Sequence, residues 1–186
     1  MPMIDVTIPE GALKPEAETR LLKELTDILI RAEGFDPDSN KVAQSVTWLF
    51  LHRPAAIHVA GARSDKPRYR IVPTVPEGQY TDAARAALVK EVTDAVVRAD
   101  GGKFEEVSAR VWVFPMEMPD GQWGSRGGIR RLPEIQAMLG GGESGRHAGQ
   151  DDHKVGQERL ARRRRAKALQ LLEGALDVAQ KGAAAD

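Results

Sequence analysis

IDVTIPEG, residues 4–11, returns as IVPTVPEG at residues 71–78. The same offset carries LLKELTDILIRAEG (21–34) onto LVKEVTDAVVRADG (88–101) without a gap. The chain is an internal duplication, and a repeat of this kind decides the architecture before any local assignment. In each copy a short run alternates apolar and polar residues, as Ile4, Val6 and Ile8 do, which predicts a half-buried strand; PEG then ends it with a turn-forming glycine. Leu21, Leu22, Leu25, Ile28 and Leu29, like Leu88, Val89, Val92, Ala95 and Val96, recur at helical spacing and predict one apolar helix face per copy, with Gly34 and Gly101 as stops.

A second strand is expected after each helix, SVTWLFL at 45–51 and VSARVWVF at 107–114. Each copy is then a βαβ unit, the first spanning about 2–61 and the second about 68–135. Such a unit favours parallel strands with a right-handed crossover. The expected fold class is α/β (α+β), two fused units making a four-stranded sheet with two helices on one face; oligomerisation is expected to cover the other face. Trp112 and Phe114 alternate with Val111 and Val113, so one pair faces the core, and the sequence leaves open which. The domain is expected to end near 139. GGGESGRHAGQDDH (140–153) reads as a flexible linker, and 154–186 as a basic amphipathic helical tail, with Leu169, Leu172, Leu176 and Ala179 on one face and a frayed end.

With 186 residues, no cysteine and a formal net charge of zero, the chain has no disulfide framework or thiolate chemistry and no global affinity for polyanions. It lacks the roughly 20 consecutive apolar residues of a membrane span, and a cytoplasmic location is expected. The dense basic block RLARRRRAKAL (159–169) leaves nucleic acid open as a partner. It has no interleaved aromatics, however, and Glu158, Glu173 and Asp177 accompany it, which favours a solvated helix. Asp151, Asp152 and His153 offer metal-ligand chemistry without partners at suitable spacing, His52 and His58 read as surface or interface residues, and no P-loop or dinucleotide fingerprint occurs. No metal or cofactor is expected.

Pro2 follows the initiator methionine directly. If Met1 is removed, Pro2 presents a secondary amine at the head of the first strand. Such an amine, held in an apolar pocket beside other cations, has its pKa lowered towards the range of a working base. The alternative is a proline on an exposed terminus.

These features together resemble the tautomerase superfamily: the proline behind Met1, the alternating strand ending in EG, the helix with KELTD, and VWVFPMEMPDGQWGSRGG (111–128), similar to that family's strand, turn and C-terminal hairpin. Two units in one chain look like its fused members, the cis-3-chloroacrylic acid dehalogenase and 4-oxalocrotonate tautomerase group. The resemblance covers about residues 2–135. It implies a homotrimer, a cofactor-free reaction, and Pro2 as the catalytic amine. It also explains why the second copy has Tyr69 where the first has Pro2: a nitrogen inside the chain is no base. The two arginines with which the dehalogenases hold a substrate carboxylate are replaced by Pro76 and Gln79; their helix histidine, strand tyrosine and water-activating glutamate correspond to Leu29, Phe114 and about Ser125. The loop arginine that single-unit tautomerases carry after EG is replaced by Ala12 and Gln79. Hydrolytic dehalogenation is therefore not expected.

Candidates for holding substrate are then Arg126, Gln79, Arg70 and Arg110, with Trp123 and Phe114 lowering local polarity. A hairpin arginine in solvent and a tryptophan at an interface are the plainer readings of Arg126 and Trp123. The expected activity is tautomerisation of a small enol or 2-oxo acid. The alternatives are hydration, decarboxylation or dehalogenation of a small unsaturated acid, or an inactive interaction protein of the same fold.

Overall fold

In a computed structural model that describes residues 2–140 and 150–183, the first copy builds strand β1 (Met3–Thr7), helix α1 (Pro15–Ala32), a short helix α2 (Lys41–Val46) and strand β2 (Trp48–His52). A small ribbon, β3 (His58–Val59) with β4 (Ala62–Arg63), leads to the second copy: β5 (Tyr69–Pro76), α3 (Asp82–Asp100), the short α4 (Phe104–Ser108) and β6 (Val111–Val113). Then follow β7 (Met116–Met118), a hairpin of β8 (Gly124–Ser125) and β9 (Gly128–Ile129), and helices α5 (Leu132–Gly140) and α6 (Gln150–Ala183).

The helix boundaries follow from local chemistry. Pro15 opens α1, where a missing N–H removes no helix bond, and Glu16 and Glu18 complement the positive end. For α3 the Thr81 hydroxyl accepts from the Ala84 N–H at 3.1 Å, and Gly101, at φ +79°, closes the helix in the left-handed region that a Cβ disfavours.

The strands run β2-β1-β5-β6, with β7 continuing the sheet beside β5. β1 lies parallel to β2 and antiparallel to β5, and β5 is parallel to both β6 and β7. The outer partner of β5 changes near Pro73, from β6, which ends opposite Ile71, to β7, which begins opposite Thr74. A proline has no N–H for a ladder bond, so this is where a break in pairing is least costly.

Strand alternation places Ile4, Val6, Ile8, Ile71, Val75 and Val111 on one face, where they meet Leu21, Leu25, Ile28 and Leu29 of α1 and Leu88, Val92, Ala95 and Val96 of α3. Burial of each large aliphatic side chain contributes about 1.5–3 kcal/mol, which makes this layer the main source of stability. The alternation also decides between the two pairs on β6. Val111 and Val113 face the core, whereas Trp112 (68% exposed), Phe114, Trp48 (64%), Phe50 and Met116 lie exposed. The second strands are shorter than expected at their starts: Ser45 and Val46 belong to α2, and Val107 and Ser108 to α4, where Ala43 and Val107 turn inward as helical residues.

The C-terminal region departs most from the sequence reading. Helix α6 already begins at Gln150, within the span read as linker, and residues 154–164 are docked on the domain. Leu160 is buried, Gly156 abuts Pro133 of α5, and Gly78 abuts the Leu160 backbone. The arginine block supplies part of the attachment: Arg163 pairs with Glu117 at 2.9 Å and Arg164 with Asp120 at 3.1 Å, both carboxylates being nearly buried. Beyond it, Leu169, Leu171, Leu172 and Leu176 are exposed. Residues 141–149 of the expected linker and 184–186 of the expected frayed end lie outside the described residues.

Candidate active site

Pro2 is buried at the end of the sheet where β1 and β2 begin, its carbonyl accepting from the Trp48 N–H at 3.3 Å. It lines a cavity of about 620 Å³ together with Met3, Ser45, Val46, Trp48, Met118, Gln122, Trp123, Gly124, Ser125 and Arg126. The wall is mostly apolar, and Arg126 is the one charged side chain among the described lining residues. A cavity of this volume suits a small ligand, and its one cation favours an anionic group.

Arg126 reaches the cavity from an unusual backbone position. It and Gly127 form the two-residue loop of the β8–β9 hairpin, with φ of +50° and +73°, the pair of left-handed residues that a type I′ turn requires. Arginine is not a residue such a turn selects, and its left-handed conformation costs about 1 kcal/mol. Its side chain is exposed and forms no ion pair among the described residues. Trp123, packed against the small cluster of Ile30, Ala43, Ile135 and Leu139, forms a firm apolar side of the cavity.

Close to this end of the sheet lies a buried polar cluster that sequence reading missed. Glu33, at the C-cap of α1, is 1% exposed, and its Oε1 accepts from Gln79 Nε2 at 3.1 Å. Gln79 Oε1 in turn accepts from Gln136 Nε2 of α5 at 2.9 Å and from Arg159 Nη1 of α6 at 2.7 Å; Arg159 also donates to the Glu33 carbonyl at 3.2 Å. Glu33 Oε2 and the Tyr80 hydroxyl have no hydrogen-bond partner among the described residues. Burial pushes the Glu33 carboxyl up in pKa, opposed by the positive charge at the amino terminus, the Gln79 hydrogen bond and Arg159. Burial likewise holds the Tyr80 phenol well above its ordinary value, with help from Glu33 and Glu117.

The structure brings Pro2, Trp123 and Arg126 together and places the other candidates elsewhere. Gln79 is buried within the polar cluster, its amide already engaged. Arg70 is exposed on the open sheet face, 5.6 Å from the Phe114 ring, and Phe114 meets Trp112 edge to face. Arg110 is spent on Asp100, at 3.2 Å, and on the Pro67 carbonyl, above the Tyr69 ring. Ser45, Trp48, Met118 and Gln122 line the cavity without having been singled out, because only the sheet and hairpin bring them to Pro2.

No family model and no curated protein matches the sequence. Solved structures do. Pt0534, in a structure described as inactivated by 2-oxo-3-pentynoate, is similar over 68% of this chain and 94% of its own, with 22% identity and a TM-score of 0.55. A fused 4-OT solved as a symmetric trimer matches with 24% identity, the same coverages and a TM-score of 0.55. N1, a member of the cis-3-chloroacrylic acid dehalogenase family, matches over 68% of this chain and 82% of its own, with 18% identity and a TM-score of 0.52. The chain has the tautomerase-superfamily fold. Within this tautomerase fold Pro2 heads the first strand, and the second unit carries Tyr69 at the matching place, its hydroxyl donating to Asp100 at 2.6 Å.

Proposed function

We propose that the protein is a tautomerase or isomerase in which Pro2, freed by removal of Met1, moves a proton on a small enol or 2-oxo acid. The observation that carries this reading is the placement of Pro2 in a largely apolar cavity whose charged lining residue is Arg126. A secondary amine there has a lowered cost of being neutral, and so is available to take the proton adjacent to a carbonyl. The guanidinium pairs with the substrate carboxylate, a fork-to-fork contact that also fixes orientation. Proton transfer of this kind calls for no cofactor. Arg126 thereby does the work of the missing loop arginines, while Gln79 acts behind the cavity. Arg70, Arg110 and Phe114, placed away from the cavity, are not assigned a contact with substrate. The working assembly is proposed to be a homotrimer, with Trp48, Phe50, Trp112, Phe114 and Met116 on the covered sheet faces, and the enzyme to work in the cytoplasm.

The test is ketonisation of phenylpyruvate and 2-hydroxymuconate, followed by ultraviolet absorbance, using protein shown by intact mass to begin at Pro2 and its Pro2→Ala variant. A loss of orders of magnitude in the variant supports the reading. A covalent probe is 2-oxo-3-pentynoate: one adduct on the wild type and none on Pro2→Ala is expected if the proline nitrogen is nucleophilic. Absence of turnover and of adduct, with Met1 confirmed absent, would favour a binding protein. Adduct without turnover would favour another proline-dependent reaction of an unsaturated acid.

A further inference from the structure

The internal repeat pairs Pro2 with Tyr69 and Glu33 with Asp100. In the second unit these two positions meet, because the Tyr69 hydroxyl donates to Asp100 Oδ2 at 2.6 Å. The reason is topological. A helix that returns antiparallel to its strand ends beside that strand's beginning, which brings the last acidic residue of the second helix to the first residue of its unit.

In the first unit the strand begins with proline, which has no side-chain donor. Glu33 is correspondingly left with one oxygen engaged by Gln79 and the other, Oε2, buried and without a hydrogen-bond partner among the described residues. An unsatisfied buried carboxylate oxygen costs stability unless something answers it. The groups around it are Gln79 and Tyr80 from the turn after β5, Gln136 from α5 and Arg159 from α6; Glu117 of β7 and Arg85 of α3 stand beyond Tyr80. Arg159 and Gln136 hold the Gln79 carbonyl, so the Gln79 amide nitrogen is directed at Glu33 Oε1, and among the described residues nothing hydrogen-bonds the second oxygen.

We propose that Glu33 is the positioning residue of the amino-terminal proline: its Oε2 accepts a hydrogen bond from the ammonium of protonated Pro2, orienting the nitrogen towards the cavity. Arg159 of α6 takes part by fixing Gln79, which makes the docked part of α6 a component of the site. The inference rests on the reading of Pro2 as the working amine, but it is tested without turnover. An opposite charge within hydrogen-bond reach raises an amine's pKa, by about one to three units at such distances.

The experiment follows the Pro2 nitrogen by ¹⁵N-proline NMR titration on Met1-free protein, wild type and Glu33→Gln, an isosteric change that keeps an acceptor for Gln79. In Glu33→Gln the nitrogen is expected to titrate at least about one unit lower, with the acidic limb of any kcat/KM profile shifting likewise. An unchanged Pro2 titration overturns the proposal, whether or not ketonisation is seen. In the wild type alone, the ¹³C carboxyl resonance of Glu33 should show a step at the pH where Pro2 titrates, and that step should vanish in Pro2→Ala. Its absence from the wild type overturns the proposal even if Glu33→Gln does not fold. Coupled titration without ketonisation would uphold the pairing and refute only the tautomerase reading.

Discussion

Gly156 of α6 lies so close to Pro133 of α5 that a Cβ on it would stand 2.6 Å from the Pro133 Cα. Replacing it by alanine sets two effects against each other. Alanine gains about 1 kcal/mol of helix propensity, whereas overpacking against backbone costs about 1–3 kcal/mol and at this distance falls at the upper end. Gly156→Ala is therefore expected to loosen α6, seen as faster tryptic cleavage within Arg162–Arg165 and a lower Tm. Equal or slower cleavage would refute close docking.

Arg126 separates fold from function. Arg126→Gly removes the guanidinium yet suits the left-handed turn, so stability should hold or rise by about 1 kcal/mol. A charge-assisted bond to a carboxylate contributes about 1.5–3 kcal/mol, so kcat/KM for 2-oxo acids should fall roughly tenfold to a hundredfold. Thermal melts alongside steady-state kinetics check both halves, and an unchanged kcat/KM would remove Arg126 from the site.

Glu33 gives stability a pH dependence of unusual sign. Its pKa is raised on folding from an ordinary 4.5, so the folded state holds the proton more tightly than the unfolded one. That stabilisation is fully present below pH 4.5 and is lost as pH rises through the folded pKa. In protein that retains Met1, which has no Pro2 ammonium to pair with Glu33, Glu33→Gln should consequently be more stable than the unsubstituted chain at pH 8, with the difference shrinking at pH 4.5. Urea unfolding at the two values checks the sign; a variant that is less stable at pH 8 would contradict it.

Glu117 ties the turn after β5 to α6. Its Oε1 accepts from the Gly78 and Tyr80 N–H groups at 3.0 and 3.3 Å, and its Oε2 takes Arg85 at 2.6 Å and Arg163 at 2.9 Å. Removing one partner of a buried ionic group costs about 3–5 kcal/mol. Glu117→Gln should thus destabilise the domain by several kcal/mol in urea, whereas Lys23→Ala, which breaks an exposed i,i+4 pair with Asp27, should change it by less than about 1 kcal/mol.

On the open sheet face, Trp112→Glu should convert the proposed trimer to monomers in sedimentation velocity while leaving the far-UV spectrum intact. A glutamate at this exposed position is well solvated in a monomer and buried without a partner in an assembly. A trimer that persists would show that another surface assembles the chain.

Much of the fold was legible in the residues themselves. The spacing of Leu21, Leu25, Ile28 and Leu29 and of Leu88, Val92, Ala95 and Val96 identified two buried helix faces, because helical periodicity is local and each apolar residue had a consistent side. Pro2, Trp123 and Arg126 became site candidates through the resemblance to the tautomerase superfamily, not through any local pattern, and in the fold they line one cavity. Gln79, Arg70, Arg110 and Phe114 do not line the Pro2 cavity of the single chain, and their surroundings were not legible because each depends on which neighbour fills the adjoining space. Asp100 claims Arg110, and Arg159, from a distant helix, claims Gln79.

By itself, the sequence determined the duplication, the two helices with their apolar faces, and the proline behind Met1, in whose place the second copy has Tyr69. These are properties of local spacing and of covalent chemistry, and they survive whatever the chain packs against. Tertiary structure alone decided that Trp112 and Phe114 face outward, that the arginine block attaches α6 through Glu117 and Asp120, and that Glu33 is buried with one oxygen lacking a hydrogen-bond partner among the described residues. Each of those outcomes rests on contacts between residues far apart in the chain, whose energies depend on burial and on the partner present, quantities that no local pattern encodes.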